Sequence, residues 1–290
     1  MSVDILQDKI RKLKNPSMVD FTIRQQEIPA FLMEEEGSFI KAYMRFCLEI
    51  MGGLKTLVPA VRFPFALFAV WGEEGLRVLK ELLTKAKEMG FYVLLDSPQI
   101  LTPWNAEAAA LLLSESDFSA DAMLIAPYIG SDSIRPFVDV CKNAGKALFA
   151  VVRSPNKSAA ELQDLMTGSR LVQGAAAELV NRFGEQIVGK YGYSQFAAAG
   201  SAGAPDSLRT LRNKFNRIFI LVDGLDYPSG NAKNCSYAFD QFGHGAIVCA
   251  GPSITAAWQV ADVDSHEFVS LAIQAAERMK KNLNRYLNVL

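Results

Sequence analysis

The residues able to do chemistry fall at the ends of short apolar runs. Asp96 closes the run Tyr92–Asp96, Arg62 stands inside AVRFPF, Asp223 closes Ile218–Asp223, and Asp226 follows across Gly224. A carboxylate in such a place can touch a ligand, and it can equally cap the turn that follows. Arg62 can hold an anion or pair with Asp96 or another neighbour, but a guanidinium is effectively always charged and does not easily give up a proton. Asp223 and Asp226, flanking Gly224, could share a cation, although no further oxygen-ligand cluster is evident. Gly251 and Ser253 bracket Pro252, where a helix would begin and its free N–H groups could accept an anion. His244 and His266 are far apart and lack a His or Cys companion at metal spacing, so both read as surface or loop residues. Cys47, Cys141, Cys235 and Cys249 are scattered without a CxxC pair, which signals neither zinc nor a disulfide framework and suits a reducing compartment. No G-x-S-x-G elbow is present, and neither histidine has a setting that suggests activation.

Strand-like and helix-like segments must position these residues, and the two alternate from end to end. The strand candidates are Val19–Ile23, Thr56–Val61, Tyr92–Asp96, Ala122–Ala126, Ala147–Arg153, Phe196–Gly200, Ile218–Asp223 and Ala246–Cys249. They are short apolar runs, as parallel strands covered on both faces require. Between them, Glu73–Met89 has apolar residues at helical spacing and closes at Gly90. Ser158–Met166 opens with a capping serine and Glu161 three residues later, a capping box. Asp206–Phe215 follows a proline. His266–Leu290 is a long amphipathic helix with basic residues near its end, where they complement the helix dipole. Eight such units in a chain of 290 residues predict an α/β fold, a parallel eight-stranded (β/α)8 TIM barrel, as one domain over 1–290. The barrel carries an N-terminal helical extension and a long C-terminal helix. Within Asn15–Gly37 an acidic amphipathic stretch is expected to cap it.

Half the residues are hydrophobic and 21% are charged, a globular composition, and the net charge is −1. No basic excess points to nucleic acid or an anionic membrane. No stretch approaches the roughly 20 apolar residues that span a bilayer. The charged N-terminus, MSVDILQDKIRKLKN, lacks an apolar signal core, so a cytoplasmic protein is expected.

The middle of the chain is more specific. AMLIAPYIGSDSIRPF (Ala122–Phe137) followed by GKALFAVVRSPNKSAAELQDL (Gly145–Leu165) resembles the bacterial long form of the orotidine 5′-monophosphate decarboxylase family. FPFALFAVWGEEGL is similar to that family's second unit, where a Gly-x-x-Gly pair starts a helix. The resemblance runs from about Val19 to Trp258 and is strongest over the fourth and fifth units. It implies a barrel, usually homodimeric, that removes carbon dioxide from a pyrimidine ring at the strand C-termini without metal or cofactor. Alternating lysines and aspartates hold charge around the carboxylate and the developing carbanion, and a lysine then protonates the carbon.

Against that pattern the chain reads as a degenerate member. Asp96 matches the first aspartate of the family's Asp-x-Lys-x-x-Asp motif, but Pro98 and Leu101 stand at its lysine and second aspartate. Arg62 stands at the second-strand lysine, and no lysine lies between Lys87 and Lys142. Thr22 and Arg24 fall where the first-strand aspartate belongs. The glutamine and arginine that help hold the 5′-phosphate fall near Pro228 and Gly251. Ser154 and Asn156 keep part of a loop that touches the pyrimidine, with Pro155 replacing a serine. Arg153, Tyr128 and Gly130 read as structural, and Trp104 as filling the emptied pocket, with stacking on a ligand as the alternative. The binding candidates are therefore Arg62, Asp96, Ser154, Asn156, Gly251 and Ser253, with no catalytic residue assigned. The expectation is an inactive homologue or a protein binding a small anionic or nucleotide-like ligand. An active decarboxylase of pyrimidine biosynthesis and a divergent lyase or isomerase of phosphorylated substrates are the alternatives.

Overall fold

A computed structural model describes residues 1–261 and 264–287. Its strands are β1 (Ser17–Asp20), β2 (Ala60–Pro64), β3 (Tyr92–Asp96), β4 (Ala122–Ile125), β5 (Ala147–Val151), β6 (Phe196–Ser201), β7 (Ile220–Asp223) and β8 (Ala246–Ala250). All neighbours pair in parallel, and β8 returns to β1 to close the barrel. Each strand begins within a few residues of its predicted place, and β3 matches the prediction at both ends.

The largest offsets are at β1 and β2, and both have local causes. Asp20 accepts from the backbone N–H and hydroxyl of Thr22, a side-chain turn that bends the chain away after Asp20. The apolar run before β2 is partly helix end, because the N–H groups of Leu57 and Val58 both return to the carbonyl of Leu54. β2 therefore runs from Ala60 to Pro64 and takes Arg62 into the sheet.

Side chains alternate across each strand, so one set faces the surrounding helices and the other the barrel interior. Met18, Ala60, Tyr92, Leu94, Phe149, Leu221 and Ile247 form one interior cluster, completed by Val3, Leu6 and Ile10 of the N-terminal helix Ser2–Leu13. That helix closes the bottom of the barrel. Ser2 bonds the Tyr92 hydroxyl at 2.9 Å, and the side-chain oxygens of Gln195 and Gln7 accept from Val3 and Gly245 N–H. Val3, Leu6 and Ile10 are each at most 1% exposed, so each stabilises the closure by roughly 1.5–3 kcal/mol. The expected cap within Asn15–Gly37 does not form. That segment contains β1 and a helix, Ala30–Glu36, that packs sideways on Phe39–Leu54, with Glu35 and Glu36 paired to Arg45.

Other helices depart from expectation in detail. Ser158 and Glu161 make no capping box: Lys157–Ala159 is a 3₁₀ turn leading to a single helical turn, Ala160–Gln163, and Met166 lies in a small hairpin. Gly72–Glu88 does start on the Gly-x-x-Gly pair, because a Cβ on Gly75 would stand 2.0 Å from the Phe68 carbonyl. The last helix is Phe268–Asn284, with His266 in the 3₁₀ turn before it. Residues 288–290, the end of its predicted span, lie outside the described residues.

Candidate active site at the barrel mouth

The interior faces of β1, β2, β3 and β7 end in Asp20, Arg62, Asp96 and Asp223. Register brings them together, since Asp20 lies opposite Arg62 and Pro64 opposite Asp96. Arg62 is the centre. Its Nη1 donates to both oxygens of Asp223 at 2.8 and 3.1 Å, and its Nη2 donates to Asp20 at 2.6 Å. Its Nε stands 3.7 Å from Asp96 Oδ1, beyond bonding distance, and both atoms are enclosed without a partner.

The charges follow from this geometry. Burial works against the Arg62 cation, but Asp20 and Asp223 outweigh it and hold its pKa well above the usual value. Burial raises Asp223, with Arg62 opposing. Burial pushes Asp96 up to about 7, because Arg62 is too distant to restore its charge against Asp20 and Asp223. Three acids thus surround one guanidinium, and burial favours the protonated form of Asp96 relative to an exposed aspartate. Among the described residues, no lysine bonds to Asp20, Asp96 or Asp223.

Asp20 is the residue that sequence reasoning missed. The first-strand acid is present, two residues before Thr22, and the available signal was alternation: Met18 and Asp20 share the face of Ala60 and Arg62. Of the predicted residues, Arg62 and Asp96 meet at the mouth, and Arg62 adopts the salt-bridged alternative. Asp223 joins them, whereas Asp226 turns elsewhere, so the two do not form a cation pair. No cluster suited to a metal occurs among the described residues.

The anion cradle expected after Pro252 is already occupied. Asp226 Oδ2 accepts the Gly251 N–H at 2.6 Å, and the N–H groups of Ile254 and Thr255 turn back to the Gly251 carbonyl. The helix is only Pro252–Thr255, and Ser253 is exposed beside it. A side-chain carboxylate therefore takes the Gly251 N–H.

The loop after β5 is held by its own contacts. Arg153 forks onto Asp164 with two bonds of 3.0 Å, the structural role expected of it, and the Ser154 N–H donates to Gln163 at 2.9 Å. Asn156 is exposed. Pro155 leans on the β7 loop, where a Cβ on Gly224 would meet it at 2.6 Å. Tyr128 donates to the Val152 carbonyl at 2.8 Å, and Gly130 turns the chain at φ +84°, so both shape the β4 loop. Trp104 fills nothing: it is 74% exposed, because Thr102 and Asn105 cap the helix Pro103–Glu115 so that its second residue faces outward. His244 bonds through its backbone to Asp240, and His266 stacks on Phe31 and bonds Asp264; neither is bonded to the mouth residues.

A closed parallel barrel with ionisable side chains gathered at the strand C-terminal ends is the architecture of a (β/α)8 barrel protein. The chain belongs to the orotidine 5′-phosphate decarboxylase family. It is 32% identical over 221 residues to the orotidine 5′-phosphate decarboxylase of Rhodopirellula baltica, covering 74% of this chain and 73% of that one. It is 25% identical over 284 residues to that of Clostridium novyi, covering 98% of both. The fold is shared with the OMP decarboxylase of Leishmania donovani (TM-score 0.74, 21% identity, 98% of both chains). It is also shared with the orotidine 5′-monophosphate decarboxylase of Methanocaldococcus jannaschii complexed with the inhibitor BMP (TM-score 0.62, 15% identity, 93% of this chain and 99% of that one). No family model matches the chain.

Proposed function

We propose that this family member has given up decarboxylation of orotidine 5′-monophosphate and serves as a non-catalytic barrel. One observation carries the reading: Arg62, the cation of the mouth, is bonded to Asp20 and Asp223 and faced by Asp96. Negative charge building on a pyrimidine carbon there would meet carboxylates in place of ammonium groups. Pro98 and Leu101 offer neither charge nor proton. A small anionic or nucleotide-like ligand at this mouth would displace Asp226 from the Gly251 N–H and seat its negative group away from Asp20, Asp96 and Asp223. We further propose a cytoplasmic homodimer. The four buried thiols suit a reducing compartment, and no helix of the described residues is long and apolar enough to cross a membrane. Exposed Trp71, Leu101, Trp104 and Leu165, in the units that follow β2, β3 and β5, suit a second copy. The test is to incubate the purified protein with orotidine 5′-monophosphate and follow carbon dioxide release. Release at the protein-free rate is expected; robust turnover overturns the reading.

A specific observation favours a second reading. Asp20, Arg62 and Asp96 preserve part of an alternating charge pattern, and burial pushes Asp96 up to about 7. Asp96 would then deliver a proton to carbon in a residual lyase reaction. Slow carbon dioxide release that disappears in Asp96→Asn supports it, and no release at all dismisses it.

A further inference from the structure

At the bottom rim of the barrel, opposite the mouth, three helices end together. Two of them, Ser2–Leu13 and Phe39–Leu54, lead into β1 and β2, and the third, Phe268–Asn284, follows β8. Three hydrogen bonds tie these ends to one another. Lys280 Nζ donates to the Leu13 carbonyl at 2.8 Å, the Asn284 amide to the Lys14 carbonyl at 3.0 Å, and the Asn15 amide to the Leu57 carbonyl at 2.7 Å. Here lies an open recess of about 420 Å³, lined by Leu57, Glu277, Lys280, Lys281, Asn284 and Arg285.

Its charge is one-sided. Lys280, Lys281 and Arg285 line it against a single acid, Glu277, and exposed Lys14 and Lys55 cap the two adjoining helix ends. Lysines paired with acids lie elsewhere, at Lys80, Lys85, Lys190 and Lys214, and among the described residues none of these five cations meets a carboxylate. Basic residues at helix C-termini answer the helix dipole, but each end carries only about half a negative charge. The five cations exceed the three helix ends and Glu277 taken together. A chain of net charge −1 therefore concentrates a positive excess at this rim.

The rest of the lining selects the partner. Leu57 is its only apolar residue and no aromatic side chain lines it, so a base has nothing to stack on and a lipid tail little to enter. A compact group with several negative charges gains most, because its oxygens take charge-assisted hydrogen bonds from more than one cation at once. We propose that this recess binds a polyphosphate chain, at the opposite end of the barrel from the mouth and independently of it.

The probe is inorganic tripolyphosphate. Calorimetric titration of the full chain in magnesium-free buffer at low salt should show one site, weakened by added salt. Adenosine triphosphate should bind equally well and adenosine monophosphate about tenfold more weakly or worse, because only the chain is read. Lys281 and Arg285 are exposed, so their replacement leaves the core untouched. Lys281→Gln combined with Arg285→Gln should weaken tripolyphosphate binding about tenfold, and Glu277→Gln should tighten it about threefold. Lys157→Gln, in the loop after β5 at the other end of the barrel, should change nothing. Absence of tripolyphosphate binding, affinity indifferent to the charge variants at the rim, a clear preference for adenosine triphosphate, or tighter binding of single-stranded DNA than of tripolyphosphate overturns the proposal.

Discussion

The bottom and the mouth of the barrel interior lie one side-chain step apart on the same strands. Met18 is followed on its face by Asp20, Ala60 by Arg62, Leu94 by Asp96 and Leu221 by Asp223. Below the step, the side chains are mostly apolar and nearly fully covered, the few polar ones are hydrogen-bonded, and the N-terminal helix seals the end. Above it, four ionisable groups settle their charges largely among themselves. The lower layer is stabilised by removing area from water, a non-directional gain that many residue combinations supply. The upper layer depends on pairing in a poorly solvated place, where one mismatched group changes the protonation of its neighbours. Stability and chemistry are therefore separated by position along a strand, and a family member can alter the second while leaving the first in place.

The comparison breaks most visibly if Arg62 is removed. Arg62→Met strands three carboxylates around a neutral side chain and should cost about 3–5 kcal/mol at pH 8. The loss should shrink toward pH 4 as those acids take up protons. Urea melts at the two pH values read both effects, and a cost that does not vary with pH would mean that Arg62 acts by packing. The matching change below the step is Leu6→Ala, which opens a cavity in the plug and should cost about 2–4 kcal/mol. That loss should be equal at pH 8 and pH 5, since burial raises the tyrosines of its cluster, Tyr92 and Tyr193, above their usual pKa and keeps them protonated throughout; a strong pH dependence would erase the distinction between the layers.

The smallest effect runs in the other direction. Asp96 is raised from 3.8 to about 7, so between those values the folded chain holds a proton that the unfolded chain has released. Folding stability is thus lost as pH rises through that window. Asp96→Asn removes the loss and should stabilise the protein at pH 8 by about 1 kcal/mol, a figure discounted because the side chain is 32% exposed. The gain should vanish at pH 4. Thermal midpoints across the range measure it, and destabilisation at pH 8 would place Asp96 in a closer pair with Arg62.

Much of the fold was legible because burial on both faces writes itself as short apolar runs, and β3 to β8 fall close to those runs. The errors lie where a local hydrogen bond overrules pattern. Thr22 turns back onto Asp20, the Leu54 carbonyl prolongs a helix into an apolar run, and Ser158 sits in a 3₁₀ turn where it caps nothing. At the site, Arg62 and Asp96 were found because they end apolar runs, whereas Asp20 was passed over because β1 was placed two residues late. Trp104 was misjudged because the cap at Thr102, and with it the direction of the helix, sets which residues of the first turn face outward.

The amino-acid sequence alone determined the eight alternating units, the family resemblance, and that Pro98 and Leu101 follow Asp96. These are properties of residue type and spacing, which a linear string carries in full. Tertiary structure decided that Arg62 is shared by Asp20 and Asp223, that Asp226 reaches the Gly251 amide, and that Lys280 and Asn284 reach the carbonyls of Leu13 and Lys14. Those partners are separated in sequence by 25 to 270 residues, and their energies depend on distance and burial, which only closure of the barrel fixes.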